Sequence, residues 1–310
     1  MKNLIKSIVF ISIFVILYCG LSYMVLPKEN IKDFGLYKTS MYEILGEKNN
    51  SIDVVALGDS LVYSSIIPME IYNKYGYTVF DCSHPAITMK EAYKYFEVAV
   101  KSQKPKVAII GANMFFRNAK NKPWHYKYTN ALKNVLPLFT YHNNWKNIMF
   151  SETGLMNIDK GYKLNKTRRG SENFDYMVIS KKKYEINQEN IMYLEKIIEL
   201  AKEYNVKITI MGFPSQTSWN LTKDNLTKNI AQKYGFDYIN INHKNELDFD
   251  WTRETKDKGS HLNYYGALKA TDYVGKYLEK LNILEDHRKD ENYEDWDLAY
   301  KQHKLDLEKN

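Results

Sequence analysis

Val54-Val55-Ala56-Leu57-Gly58-Asp59-Ser60 is an apolar run that ends abruptly on Gly-Asp-Ser. Its unbroken apolar character predicts a strand buried on both faces, as parallel sheets require. Gly58 permits a tight turn, and a serine at the carboxyl end of a parallel strand, just before a helix, stands where open α/β sheets place their ligands. Backbone N–H groups opening that helix would face whatever the hydroxyl attacks. Ser60 is on this reading a candidate nucleophile; on the plainer one it is a helix cap.

Outward from that strand, helix and strand alternate. Proline at the start of Ile67–Tyr72 and glycine at position 76 bound a short helix, and Thr78–Asp81 reads as a second strand. Thr88 and Glu91 form a capping box for a helix running to Ser102, and Lys106–Gly111 is a third strand, whose continuous apolar run after Lys106 predicts burial on both faces. The pattern resumes with a helix over Asn187–Tyr204, a strand over Lys207–Met211, a helix from about Thr222 to Tyr234, a strand over Tyr238–Ile241 and a helix over Tyr265–Leu281. This alternation predicts an α/β fold around a central parallel sheet. Over about 114–186 it stops. A structureless loop of that size is out of place in a compact domain, so an inserted subdomain or lid is expected.

At the amino end, Lys2 and Lys6 precede Ile8–Leu26, which holds no charged residue and is about one bilayer span of apolar chain. No small-x-small cleavage site follows, and an uncleaved signal anchor over 1–27 is expected, the rest lying outside the membrane. A cleaved signal peptide is the alternative, and it exports the domain equally. A connector at 28–50, the α/β domain at 51–284 and a highly charged tail at 285–310, helical around Trp296–Leu307, complete the organisation. Cys19 falls in the anchor, so Cys82 has no partner for an internal disulfide. The net charge of +7 reads as general surface charge. Neither a nucleic-acid motif, a metal-ligand spacing nor a nucleotide fingerprint occurs, so no nucleic-acid partner and no cofactor are expected.

A serine needs a base to take its proton. Asp257-Lys258-Gly259-Ser260-His261 offers one, and sequence distance is no objection because such partners meet in the fold. His261 would act as general base and then general acid, with Asp257 holding the imidazole from its other nitrogen. The plainer readings are a surface or capping histidine and a solvated loop carboxylate. Acyl chemistry also needs donors for the oxyanion. The candidates are the Ser60 N–H, the side-chain amide of Asn113 after the third strand, and a backbone N–H of Ser83-His84-Pro85-Ala86, assigned to Ala86. Asn113 could equally satisfy loop backbone. In the insertion, Trp124, Tyr141, His142 and Trp145 form either an aromatic platform for sugar rings or ordinary core; Arg168 and Arg169 could meet an anionic polymer or simply face water.

Taken together, these blocks resemble the SGNH (GDSL-like) hydrolases. Gly58-Asp59-Ser60 stands for the first block, Ala86 for the glycine of the second, Asn113 for the third and Asp257 with His261 for the fifth, over about Ile52–Leu281. More narrowly, Ser65–Glu70, Lys104-Pro105-Lys106, Tyr141–Lys146 and His261–Gly266 are similar to membrane-anchored SGNH proteins of Gram-positive bacteria, a group like the alginate-acetylation and teichoic-acid D-alanylation proteins. The resemblance implies a three-layer α/β/α fold of the flavodoxin-like kind. It also implies acyl transfer, most simply of acetyl, to a cell-surface or secreted polysaccharide with a membrane-bound O-acyltransferase as partner. An esterase using the same site and a non-catalytic scaffold are the alternatives. The chain departs from the pattern twice. Ala86 replaces the usual glycine, and the acid commonly found three residues before the histidine is Lys258 here, with Ser260 where the narrower group often has aspartate. Asp257 is the acid assigned instead, and a Ser60–His261 dyad stays open.

Overall fold

The computed structural model describes residues 2–25, 40–118, 138, 158–172, 175–243 and 247–309. Helix α1 (Lys2–Val25) is long and apolar enough to cross a membrane. Beyond it, β1 (Val54–Leu57), β2 (Val79–Asp81), β3 (Val107–Gly111), β4 (Lys207–Gly212) and β5 (Asp237–Asn240) form one sheet in the order β2-β1-β3-β4-β5. Every pairing is parallel. The helices are α2 (Pro68–Tyr75), α3 (Met89–Ser102), α4 (Gln188–Glu203), α5 (Leu221–Tyr234), α6 (Tyr264–Leu281) and α7 (Glu294–Lys309).

The sheet is the middle of three layers, and the period of two along β1 shows why. Val55 and Leu57 join a cluster with Ala92, Phe96 and Ala99 of α3 and Leu194, Ile197 and Ala201 of α4. Val54 and Ala56 face the opposite cluster, with Ala270, Val274 and Leu278 of α6. All four β1 side chains are fully buried, each contributing about 1–3 kcal/mol by removal from water. A strand covered on both faces must be apolar throughout, which is why the run from Val54 lacks alternation.

Register then gathers the loops that matter. Ala56 lies opposite Asp81 on β2, and Leu57 opposite Ile110 on β3. The loops after β1, β2 and β3 therefore leave one edge side by side. In this strand order the chain reverses direction across the sheet between β1 and β3, the switch point where such sheets open a crevice.

Two expectations need amending, and a third gains a place in the fold. Gly58 does not take a left-handed φ; a Cβ there would lie 2.0 Å from Val62 Cγ2, and one on Gly111 would lie 2.6 Å from the same atom. Close packing of the two strand ends over Val62 is what demands glycine, rather than the turn. Ser60 does not directly open a helix either. Residues 60–65 form successive turns, Leu61 N–H donating to Asp59 Oδ1 at 3.1 Å, and α2 starts only at Pro68. Third, the charged tail is packed onto the domain. Trp296, Ala299 and His303 of α7 are fully buried, the Lys160 ammonium sits 4.8 Å from the Trp296 ring centroid, and His287 Nε2 lies 2.6 Å from Asp53 Oδ2, beside the start of β1.

Candidate active site

Two parts of the chain converge on Ser60. The 253–263 segment is held rigidly by Asn263, 1% exposed, whose Oδ1 caps α6 and whose Nδ2 donates to the Arg253 and Thr167 carbonyls at 2.8 and 3.1 Å. Thr255, also buried, accepts the Gly259 N–H at 2.7 Å. Lys258 and Gly259 follow with φ of 60° and 85°, a reversal that carries Asp257 back under His261. The described part of the insertion braces this segment from outside, with Arg169 N–H donating to the Thr255 carbonyl at 2.9 Å and Lys258 N–H to that of Arg169 at 2.9 Å.

The result is one hydrogen-bonded line. Asp257 Oδ1 accepts the backbone N–H of His261 at 2.7 Å, and Oδ2 lies 2.5 Å from His261 Nδ1. A carboxylate only accepts, so it fixes the proton on Nδ1 and leaves Nε2 bare. Nε2 is 2.7 Å from Ser60 Oγ, so the hydroxyl donates to the ring. Both oxygens of Asp257 are spent on one residue four positions away, a geometry that makes the three-residue spacing unnecessary. Lys258, three residues before His261, is exposed.

The other half of the site is buried. Asp59, 1% exposed, accepts Arg117 Nη2 at 2.8 Å and Asn113 Nδ2 at 2.5 Å on the same oxygen, Oδ2. Asn113 Oδ1 accepts Lys223 Nζ at 3.1 Å, and that ammonium also donates to the Ser218 carbonyl at 2.6 Å. Asn113 is thus neither idle nor a loop-backbone partner; its amide is gripped at both ends by side chains. Burial, with Arg117 nearby, pulls the Lys223 ammonium down to about 8. Ala86 is half-buried with φ of 54°, the left-handed conformation that favours glycine. His84 N–H donates to the Gly58 carbonyl at 3.0 Å, which ties the Ser83–Ala86 loop to the end of β1.

Asp59, Arg117 and Lys223 were missed by sequence reasoning. Asp59 stood in the open, inside Gly-Asp-Ser; Lys223 carries no local signal that marks it as buried, and Arg117 none that pairs it with Asp59. Trp124, Tyr141, His142 and Trp145 lie outside the described residues. Arg168 stacks over Tyr265, 4.2 Å from its ring centroid, and lines a hollow with Asp250, Arg253 and Glu254. Among the described residues no group of three or more His, Cys, Asp or Glu could hold a metal ion.

No protein-family pattern matches the chain, and no curated protein matches it. Among solved structures it is similar to a candidate acylhydrolase from Bacteroides fragilis (12% identity, 81% of this chain and 97% of that one, TM-score 0.42). It is also similar to a GDSL-like lipase from Bacteroides thetaiotaomicron (11%, 74% and 88%, 0.39) and to an acetyl xylan esterase (12%, 75% and 100%, 0.38).

Proposed function

We propose that this chain is an SGNH-type serine acyl-ester enzyme whose Ser60 is acylated and then passes the acyl group, most simply acetyl, to a polysaccharide hydroxyl. One observation carries the reading: Ser60 Oγ, His261 Nε2, His261 Nδ1 and Asp257 Oδ2 stand in line at 2.7 and 2.5 Å. In the first step Oγ attacks the ester carbonyl while its proton moves to Nε2, and the new imidazolium is held by Asp257. Collapse of the tetrahedral adduct breaks the ester bond, and Nε2 returns the proton to the leaving alcohol. In the second step Nε2 deprotonates the acceptor hydroxyl, which attacks the acyl-serine and frees Oγ. Water in the acceptor's place gives hydrolysis by the same steps. The developing oxyanion calls for the Ser60 and Ala86 N–H groups and the Asn113 amide. The apolar α1 supports action beside a membrane, outside the cytoplasm, where a membrane-bound O-acyltransferase would be the partner.

The test is intact-mass analysis of the chain from Lys28 onward after exposure to an activated acetyl ester, beside Ser60→Ala. An acetyl adduct on the wild-type domain that Ser60→Ala lacks is expected. Faster decay of that adduct with oligosaccharide than with water alone marks transfer. A folded wild-type domain that takes no acetyl and turns over no ester overturns the reading in favour of a scaffold.

A further inference from the structure

Lys223 is expensive where it stands. Its side chain is 8% exposed, and among the described residues no carboxylate lies within ion-pair distance of it. It occupies the first turn of α5, where Asn220 caps the helix and accepts the Lys223 N–H at 3.1 Å. The positive end of the helix dipole disfavours a cation there. Arg117 and Lys182 add like charge, and burial with these neighbours pulls its proton affinity down. What receives the ammonium is neutral: the Ser218 carbonyl, Asn113 Oδ1, and the rings of Phe116 and Tyr184 at 5.1 and 5.0 Å. A buried lysine held at such cost is the kind of group that functional sites retain.

Its contact with Asn113 has a definite consequence. An amide presents one acceptor and one donor end, and the two ends are nearly alike in shape. Lysine can only donate, so Oδ1 must face Lys223. The Asp59 carboxylate can only accept, so Nδ2 must face Asp59, at 2.5 Å. Arg117 neutralises Asp59 through the same oxygen, Oδ2, at 2.8 Å, so that the carboxylate does not claim both amide hydrogens as its sole counter-charge. With both ends fixed, one Nδ2 hydrogen is committed and the other is left for a ligand.

We infer that Lys223 is a positioning residue for acyl transfer: by donating to Asn113 Oδ1 it locks the amide with Nδ2 toward the substrate oxygen and polarises that N–H bond. Lys223 itself touches no reacting atom. The inference rests on the serine reading above and adds to it a residue from a helix distant in sequence.

The test is a double-mutant cycle on p-nitrophenyl acetate hydrolysis by the full chain in detergent micelles, with Lys223→Met and Asn113→Ala singly and together. Lys223→Met is expected to lower kcat about tenfold, a fraction of the ~10²- to 10³-fold that loss of one oxyanion donor costs, with KM within twofold. In the Asn113→Ala background the same change is expected to do almost nothing, and Lys223→Arg, which keeps a donor, should recover part of the rate. Removing a desolvated charge should also leave the thermal midpoint equal or higher, so lost rate is not lost fold. An active wild type with equal effects of Lys223→Met in both backgrounds, or with no effect in either, overturns the positioning role alone. A folded wild type with no Ser60-dependent turnover overturns the serine reading and this inference with it. If Lys223→Met fails to fold, Lys223→Leu, which also lacks a donor, enters the same cycle and is judged by the same criterion.

Discussion

The two halves of the site are built on opposite plans. The acid–base half, Ser60–His261–Asp257, is a single line with partly exposed members, side-chain exposure being 24% for His261 and 39% for Asp257. The half proposed to serve the oxyanion, Asp59–Asn113–Lys223 with Arg117, is a branched network in which Asp59, Asn113 and Lys223 are nine-tenths or more buried. A line of proton transfers fails wherever it is cut. A network shares its load and sets orientation by elimination of alternatives. The exposed half must meet substrate and solvent protons; the buried half need only keep one amide from turning over.

The largest effect should come from cutting the line at its centre. On the proposed mechanism His261→Ala removes the base that serves both steps, and an activity loss of ~10⁴-fold or more is expected from the general behaviour of such triads. Asn113→Ala removes one donor of several and should cost ~10²- to 10³-fold. Steady-state hydrolysis of p-nitrophenyl acetate by both variants measures the gap. Losses of equal size would break the comparison, since the buried half would then be as indispensable as the line.

This contrast also explains what could be read from the chain. Ser60, His261 and Asn113 follow β1, precede α6 and follow β3, positions that hydrophobic periodicity marks well because burial of β1 and β3 writes itself into unbroken apolar runs. The parallel α/β sheet and its layers were legible for the same reason. Lys223 was not, because a buried cation leaves no period; what buries it is a neighbour supplied by other segments, here Phe116 and Tyr184, and Arg117, whose side chain is 37% exposed, is picked out only by its contact with Asp59. The docking of α7 was obscured by its surface charge, although Trp296, Ala299, His303 and Leu307 recur at helical spacing and all four are buried. Gly58 shows a further limit: its residue type was informative, but the cause was the strand neighbour at Gly111, which sequence order does not display.

A second effect lies behind the oxyanion loop and sharpens the claim that this half is the desolvated one. Asp81 ends β2, is 3% exposed, and lines a cavity of roughly 60 Å³ with Glu43, Ser83, His84 and Lys163. Neither carboxylate oxygen has a well-formed hydrogen bond, and the hydroxyl and N–H of Ser83 offset its desolvation only in part. Burial pushes the Asp81 carboxyl up to about 8 and that of Glu43 up to about 7. The folded state therefore keeps protons that the unfolded chain has released. From about pH 4 upward the unfolded state binds fewer protons, so stability falls as pH rises toward 8, at up to about 1.4 kcal/mol per pH unit for each group. Asp81→Asn keeps the shape and removes one of the two titrations. Chemical denaturation at pH 5 and pH 8 should show the variant gaining on wild type as pH rises. A difference between them that does not change with pH would mean that water or a counter-ion already satisfies Asp81.

The smallest effect concerns Ala86, the half-buried loop residue whose N–H is proposed as an oxyanion donor. Its φ of 54° places a Cβ in a conformation that costs roughly 1–2 kcal/mol for a residue other than glycine. Ala86→Gly removes that strain, but it also frees the unfolded chain, which costs about 0.4–1 kcal/mol in the opposite sense. The net expectation is stabilisation of at most about 1 kcal/mol, a rise of a few degrees in Tm for a domain of this size. The N–H is retained by either residue, so ester turnover should stay within about threefold. A loss of stability larger than 1 kcal/mol would show that the Ala86 methyl contributes packing that outweighs its strain. A tenfold change in kcat, with stability unmoved, would instead show that loop stiffness rather than the N–H alone positions the donor, and the boundary between the two halves would then have to be drawn through this loop.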